Sequence, residues 1–93
     1  MIKSYANKLT QKAADGDFSK KLPSNIRTRV LMRLVQLDNA HSLDDLRLPP
    51  SNQLEKLSGN RKEQYSIRIN KQWRLCFVFV NGDALNVEIT DYH

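Results

Sequence analysis

At residue 65 the spacing of apolar residues changes from the three-and-four step of a helix face to strict alternation, and the alternation continues to the end of the chain. In YSIRIN, Tyr65, Ile67 and Ile69 take one side and Ser66, Arg68 and Asn70 the other. In WRLCFVFV, Trp73, Leu75, Phe77 and Phe79 oppose Arg74, Cys76, Val78 and Val80. Asn81 and Gly82 then spell a tight hairpin, because a type I′ turn needs two residues that tolerate positive φ. The last run sets Leu85, Val87 and Ile89 against Asn86, Glu88 and Thr90. The hairpin sets its two strands antiparallel, and helices gathered ahead of the strands cover one face of their sheet. The order predicts an α+β domain of two layers: a mostly antiparallel sheet with one apolar face under the helices and the other face open.

The first half supplies those helices. MIKSY reads as a short strand, and NKLTQKAADGD as a short helix with Asn7 as its N-cap and Gly16 as its stop. In LPSNIRTRVLMRLVQLDNA the apolar residues Ile26, Val30, Leu34 and Leu37 recur at helical spacing behind Pro23 and Ser24, with Met32 off the stripe. Arg27, Arg29 and Arg33 are expected on its polar side, a solvated face ahead of the alternative of a binding surface. HSLDDLRL adds a helical turn, PPSNQ is a connector, and LEKLSGNRKEQ, with Leu54 and Leu57, reads as a short strand entering a loop. No repeat or low-complexity segment interrupts residues 1–93, which are expected to form a single domain.

Charge is distributed unevenly. The chain has a formal net charge of +5. Residues 1–33 hold eight Lys or Arg against two Asp, and residues 55–74 hold six against two Glu. Two basic blocks that a fold can bring to one side suit a nucleic-acid partner. No apolar run of membrane-spanning length and no leader pattern is found, so a cytoplasmic protein without membrane contact is expected. Cys76 stands alone inside an apolar run and is expected to be a buried, inert thiol. His41 and His93 have no thiol or carboxylate at ligand spacing, so no metal is expected, and His41 reads as a capping or surface residue. Neither a glycine-rich phosphate loop nor a serine triad motif occurs, and no cofactor is implied.

What remains is chemistry on the open sheet face. Arg68, Asn70 and Arg74 share it, alternation along the last strand adds Tyr92, and His93 follows. For cleavage of a phosphodiester, arginines stabilise the charge growing on the phosphate while Tyr or His moves the proton of the attacking hydroxyl or the leaving oxygen. RNA brings its own nucleophile in the 2′-hydroxyl. On residue types alone a second reading stands beside this one: the arginines pair across strands with Glu88, and Tyr92-His93 is a polar tail.

The run SGNRKEQYSIRINKQWRLCFVFVNGDALNVEITDYH, with the opening MIKSY, resembles the HigB toxins of the RelE-like superfamily, also described as plasmid-maintenance killer proteins, and the likeness extends over essentially the whole chain. QWRLCF, NGDA and DYH at these relative positions carry it. The resemblance implies a RelE-like fold and a toxin that cuts messenger RNA in the decoding site of translating ribosomes, through a metal-independent attack by the 2′-hydroxyl. It also implies a HigA-type helix-turn-helix antitoxin whose complex with the toxin binds operator DNA. Carried over by motif, Asp91, Tyr92 and His93 match the family's functional C-terminal motif, Arg74 matches the arginine of its Trp-Arg pair, and Arg68 occupies a less uniform position. Some members place a catalytic histidine where this chain has Glu55 and Lys56, so either residue is a candidate for acid-base or phosphate-holding work. Lys3, Lys8, Arg61, Lys62 and Lys71 are the candidate contacts to ribosomal RNA. Two alternatives are a gyrase inhibitor of the ParE-like branch and an RNA-binding module without catalysis.

Overall fold

The computed structural model describes residues 1–61 and 63–91. Helix α1 spans Lys8–Ala14 and helix α2 Arg27–Asn39, while β1 (Glu55–Lys56), β2 (Tyr65–Arg68), β3 (Trp73–Val80) and β4 (Asp83–Asp91) form one antiparallel sheet in that order. The opening segment lies beside β4 as an extended chain with two parallel bridges, Ile2 to Ala84 and Tyr5 to Val87. The two-layer α+β arrangement expected from the period change is the one observed, and the hairpin falls on Asn81 and Gly82, with φ of 52° and 84°. Among the described residues no helix is long and apolar enough to cross a membrane.

Both helices start as their sequences dictate. Asn7 Oδ1 accepts the Thr10 amide at 2.9 Å, satisfying one of the amides that a helix start leaves without a partner. Gly16 follows α1 at φ 86°, where a side chain would be strained. A 3-10 turn at Ser24–Ile26 leads into α2, and Ile26, Val30, Leu34 and Leu37 are all buried against Ile67, Leu75, Phe77 and Val87 of the sheet. Each such side chain contributes about 1.5–3 kcal/mol on burial. Thr10 ties the layers together, its hydroxyl accepting the Ile89 amide at 3.0 Å.

Three expectations are corrected. First, Leu85 does not join Val87 and Ile89 in the core; Ala84 does. The register slips between Cys76 and Val78, where Asn86 takes φ 53° and its amide turns out to Ser4 Oγ at 2.9 Å. This β-bulge reverses the alternation for the residues before it and leaves it intact for those after. Asn is among the few residues that occupy the left-handed region cheaply. Asn86→Val keeps the backbone amide but not the ease of positive φ, and is therefore expected to cost about 1–2 kcal/mol in urea denaturation.

Second, the outer face of the sheet is not open along its length. Residues from the connector fold across it: Ser66 and Cys76 are fully buried and Arg74 is 8% exposed. Leu57 is also buried, and neither it nor Cys76 belongs to the main core cluster. Third, Arg33 is not solvated. It is buried, and its Nε donates to the carbonyl of Arg68 at 2.8 Å, while Arg27 lies over the Phe18 ring at 5.4 Å.

Candidate active site

Register builds the site. In antiparallel pairs, residues directly opposite share a face. Ser66 faces Cys76, Cys76 faces Glu88, and Glu55 of β1 faces Ser66, which gives one row across the outer face. The next row is Arg68, Arg74 and Thr90. Two arginines thus stand opposite each other on neighbouring strands, a placement that like charges disfavour unless something offsets it.

For Arg74 the offset is visible. Its Nε donates to Ser66 Oγ at 2.7 Å, and its Nη2 donates to the carbonyls of Gln53 and Ser66. Gln53 adopts the left-handed conformation at φ 44°, which swings its carbonyl onto the guanidinium. Arg74 therefore pins the connector to the sheet. Arg68 is half-buried, and its side chain makes no hydrogen bond or ion pair among the described residues.

Glu88 pairs with neither of these arginines. Its Oε1 accepts from Arg61 Nη1 at 3.1 Å, and Arg61 also bonds Gln64 Oε1 at 3.0 Å. The cross-strand pairing open on sequence grounds is replaced by a bond from the loop before β2. Glu88 is thereby neutralised away from the Arg68–Arg74 row. Burial pushes the Cys76 thiol up, against an opposing hydrogen bond with Thr90, in keeping with an inert buried cysteine.

The remaining candidates distribute unevenly. Asp91 ends β4 opposite Trp73, one step beyond the Arg74–Thr90 pair, and its Oδ1 accepts from Gln72 Nε2 at 3.2 Å. Tyr92, His93 and Lys62 lie outside the described residues. Glu55 falls on the outer face in line with Ser66, whereas Lys56, opposite Tyr65, belongs to the other face; both are exposed. Lys71 is exposed in the β2–β3 turn. Lys3 sits where its amide meets the Ala84 carbonyl, at the hairpin end of the sheet, and Lys8 begins α1. The fold joins Arg68, Lys71, Arg74 and Asp91 at one end of the sheet and does not bring Lys3 there. His41 is exposed, and among the described residues no group of His, Cys, Asp and Glu is placed to hold a metal.

Sequence reasoning missed Ser66 and Gln53 as the partners of Arg74. Ser66 was legible as an outer-face residue, but nothing in PPSNQ signals a carbonyl turned onto an arginine 21 residues later.

Helices layered on one face of an antiparallel sheet, with an arginine pair at its end, define a small α+β domain with a cationic sheet end. A profile described as "RelE-like toxin of type II toxin-antitoxin system HigB" matches residues 3–93. The chain belongs to this HigB-like family. It is 49% identical over 65 residues to "Toxin HigB-1" of Vibrio cholerae, covering 70% of this chain and 68% of that one. It is 31% identical over 93 residues to "Endoribonuclease HigB" of Proteus vulgaris, covering 100% of both. The fold is similar to that of a YafQ mutant from E. coli, with a TM-score of 0.65 and 14% identity over 98% of this chain and 91% of that one. It is also similar to a chain of the YoeB-YefM complex from Staphylococcus aureus, with a TM-score of 0.62 and 16% identity over 100% and 98%.

Proposed function

We propose that this toxin is a ribosome-dependent endoribonuclease that cuts messenger RNA in the decoding site and so halts translation. The observation that carries the reading is the facing of Arg68 and Arg74 one step from Asp91, the residue that precedes Tyr92 and His93 in sequence. Arg68 supplies positive charge to the scissile phosphate. Arg74, held by Ser66 and Gln53, fixes the strand pair and adds to the local potential. His93 and Tyr92 are the proton-transfer groups for the 2′-hydroxyl and the leaving oxygen, and Asp91 orients them. Glu55, on the same face as the arginines, is the better placed of the two substitutes for the histidine of some relatives, and Lys56 the poorer. Lys71 flanks this end as an RNA contact, Lys62 is a further candidate contact, and Arg61 reaches the same face through Glu88.

The full-length relative named an endoribonuclease supports the activity, and family membership supports a cytoplasmic antitoxin partner. That partner is a HigA-type helix-turn-helix protein, whose complex with the toxin binds operator DNA. The test is cleavage of a defined message in a reconstituted translation system, with and without ribosomes. Cuts at the decoding site that require ribosomes are expected; intact message under both conditions would overturn the proposal.

A further inference from the structure

Arg33 occupies an unusual position for a cation. Because β1 pairs only with Tyr65 and Ser66, the rest of β2 has a free edge. The Ile69 amide is turned to the Trp73 carbonyl at 2.9 Å, so the groups of the preceding residue, Arg68, point the other way, out of the sheet. Arg33 Nε takes up that edge carbonyl, and Arg29 Nη1 approaches the Ile69 carbonyl at 3.4 Å. Covering an edge is a common need, and a neutral donor would meet it without desolvating a charge. Here Arg33 as a residue is 6% exposed, with the Arg29 guanidinium as a neighbour. Burial, and then the charge of Arg29, push the Arg33 pKa down.

Among the described residues no carboxylate pairs with Arg29 or Arg33. The ion pairs seen include Met1–Asp83, Arg47–Asp44 and Arg61–Glu88, and neither Arg29 nor Arg33 takes part in one of these. Lys71 stands exposed in the adjoining turn, and Arg68 projects from the same strand end onto the outer face. Among the described residues the acid at this end is Asp91, whose carboxylate is engaged by Gln72 across the turn. A strand edge framed by Arg29, Arg33, Arg68 and Lys71 is a concentration of positive charge that the fold maintains at a cost in desolvation and mutual repulsion.

We infer that the free edge of β2, with Arg29 and Arg33 behind it and Arg68 and Lys71 around it, is a binding site for the phosphodiester backbone of RNA, continuous with the Arg68–Arg74 face. The inference deepens the RNA-cleavage reading and rests on it for the identity of the polymer. It assigns the exposed Arg29 to RNA contact, with the buried Arg33 adding its charge from behind the edge and the strand running over the β2–β3 turn to reach the site. The phosphates belong either to the message or to ribosomal RNA.

The test measures binding of a short fluorescein-labelled oligouridylate by anisotropy over a series of NaCl concentrations. Arg29 is exposed, so Arg29→Gln leaves the packing in place, and Lys12→Gln on the distant helix α1 controls for the loss of any one charge. Arg29→Gln is expected to weaken binding by roughly 3- to 10-fold and to flatten the plot of log K against log salt by about 0.7, the share of one phosphate contact on a single strand. Lys12→Gln is expected to do neither. Affinity and slope equal to those of the wild type in Arg29→Gln, or no binding of the oligomer by the wild-type toxin, would overturn the inference. Repeating the comparison on ribosomes with and without message names the source: a deficit on both identifies ribosomal RNA, and a deficit only with message identifies the message. A wild-type protein that binds the oligomer through Arg29 and cuts no message would remove the nuclease reading and leave the site standing.

Discussion

Arg74→Met is expected to lower the unfolding free energy by about 2–4 kcal/mol in urea denaturation, more than its charge alone would suggest. The substitution keeps much of the apolar stem but withdraws the donors that satisfy Ser66 Oγ and the Gln53 carbonyl. A buried polar group left without a partner costs about 1–3 kcal/mol; Ser66 is fully buried, and the part-buried Gln53 carbonyl adds a smaller share. Arg74→Lys should recover part of the loss, since one ammonium reaches one acceptor where the planar fork reaches several. Cleavage should fall in both variants. The informative comparison is at a temperature where each remains folded, because only then does residual loss report on the phosphate and not on the connector held by Gln53. Unchanged stability in Arg74→Met would mean that water takes the place of the guanidinium and that Arg74 does not hold the connector.

The second large effect is expected at the chain's last residue. His93→Ala should slow message cleavage by about 100- to 10,000-fold, the usual contribution of a positioned acid or base, with little change in stability. Tyr92→Phe and Tyr92→Ala separate two roles for the ring. If Tyr92 stacks on a base, Phe preserves activity and Ala removes it; if it transfers a proton, both lose activity alike. Glu55→Gln in the same assay decides whether the carboxylate opposite Ser66 takes part. Full activity in His93→Ala would reduce the terminal motif to a tail and move the chemistry onto the arginine row.

The architecture was legible because it rests on period. Alternation after residue 65, the Asn81-Gly82 hairpin and the Ile26, Val30, Leu34 and Leu37 stripe each follow from local chemistry and each is observed. The misses share a cause, which is that they depend on partners distant in sequence. Asn86 bulges because Ser4 waits at the sheet edge to accept its amide. Arg74 is buried because the connector carries Gln53 over it. Arg33 was in part readable, since Ile26, Val30, Arg33 and Leu37 also follow steps of four, three and four, which brings an arginine to the border of the buried stripe. What the sequence lacked was any sign that a strand edge would be there to receive it.

The pairing of the first residues with the last strand has a consequence for how this toxin comes into being. Ser4 meets Asn86 across 82 positions, and Thr10 meets Ile89 across 79. Contacts that close so long a loop must bear its entropy before they return any stabilisation, which favours slow folding in a single late step. The strand they secure is the one that ends at Asp91, the first residue of the proposed catalytic tripeptide. Acquiring a native core and acquiring a toxic site are then one kinetic event: a chain in which the two ends have not met has neither.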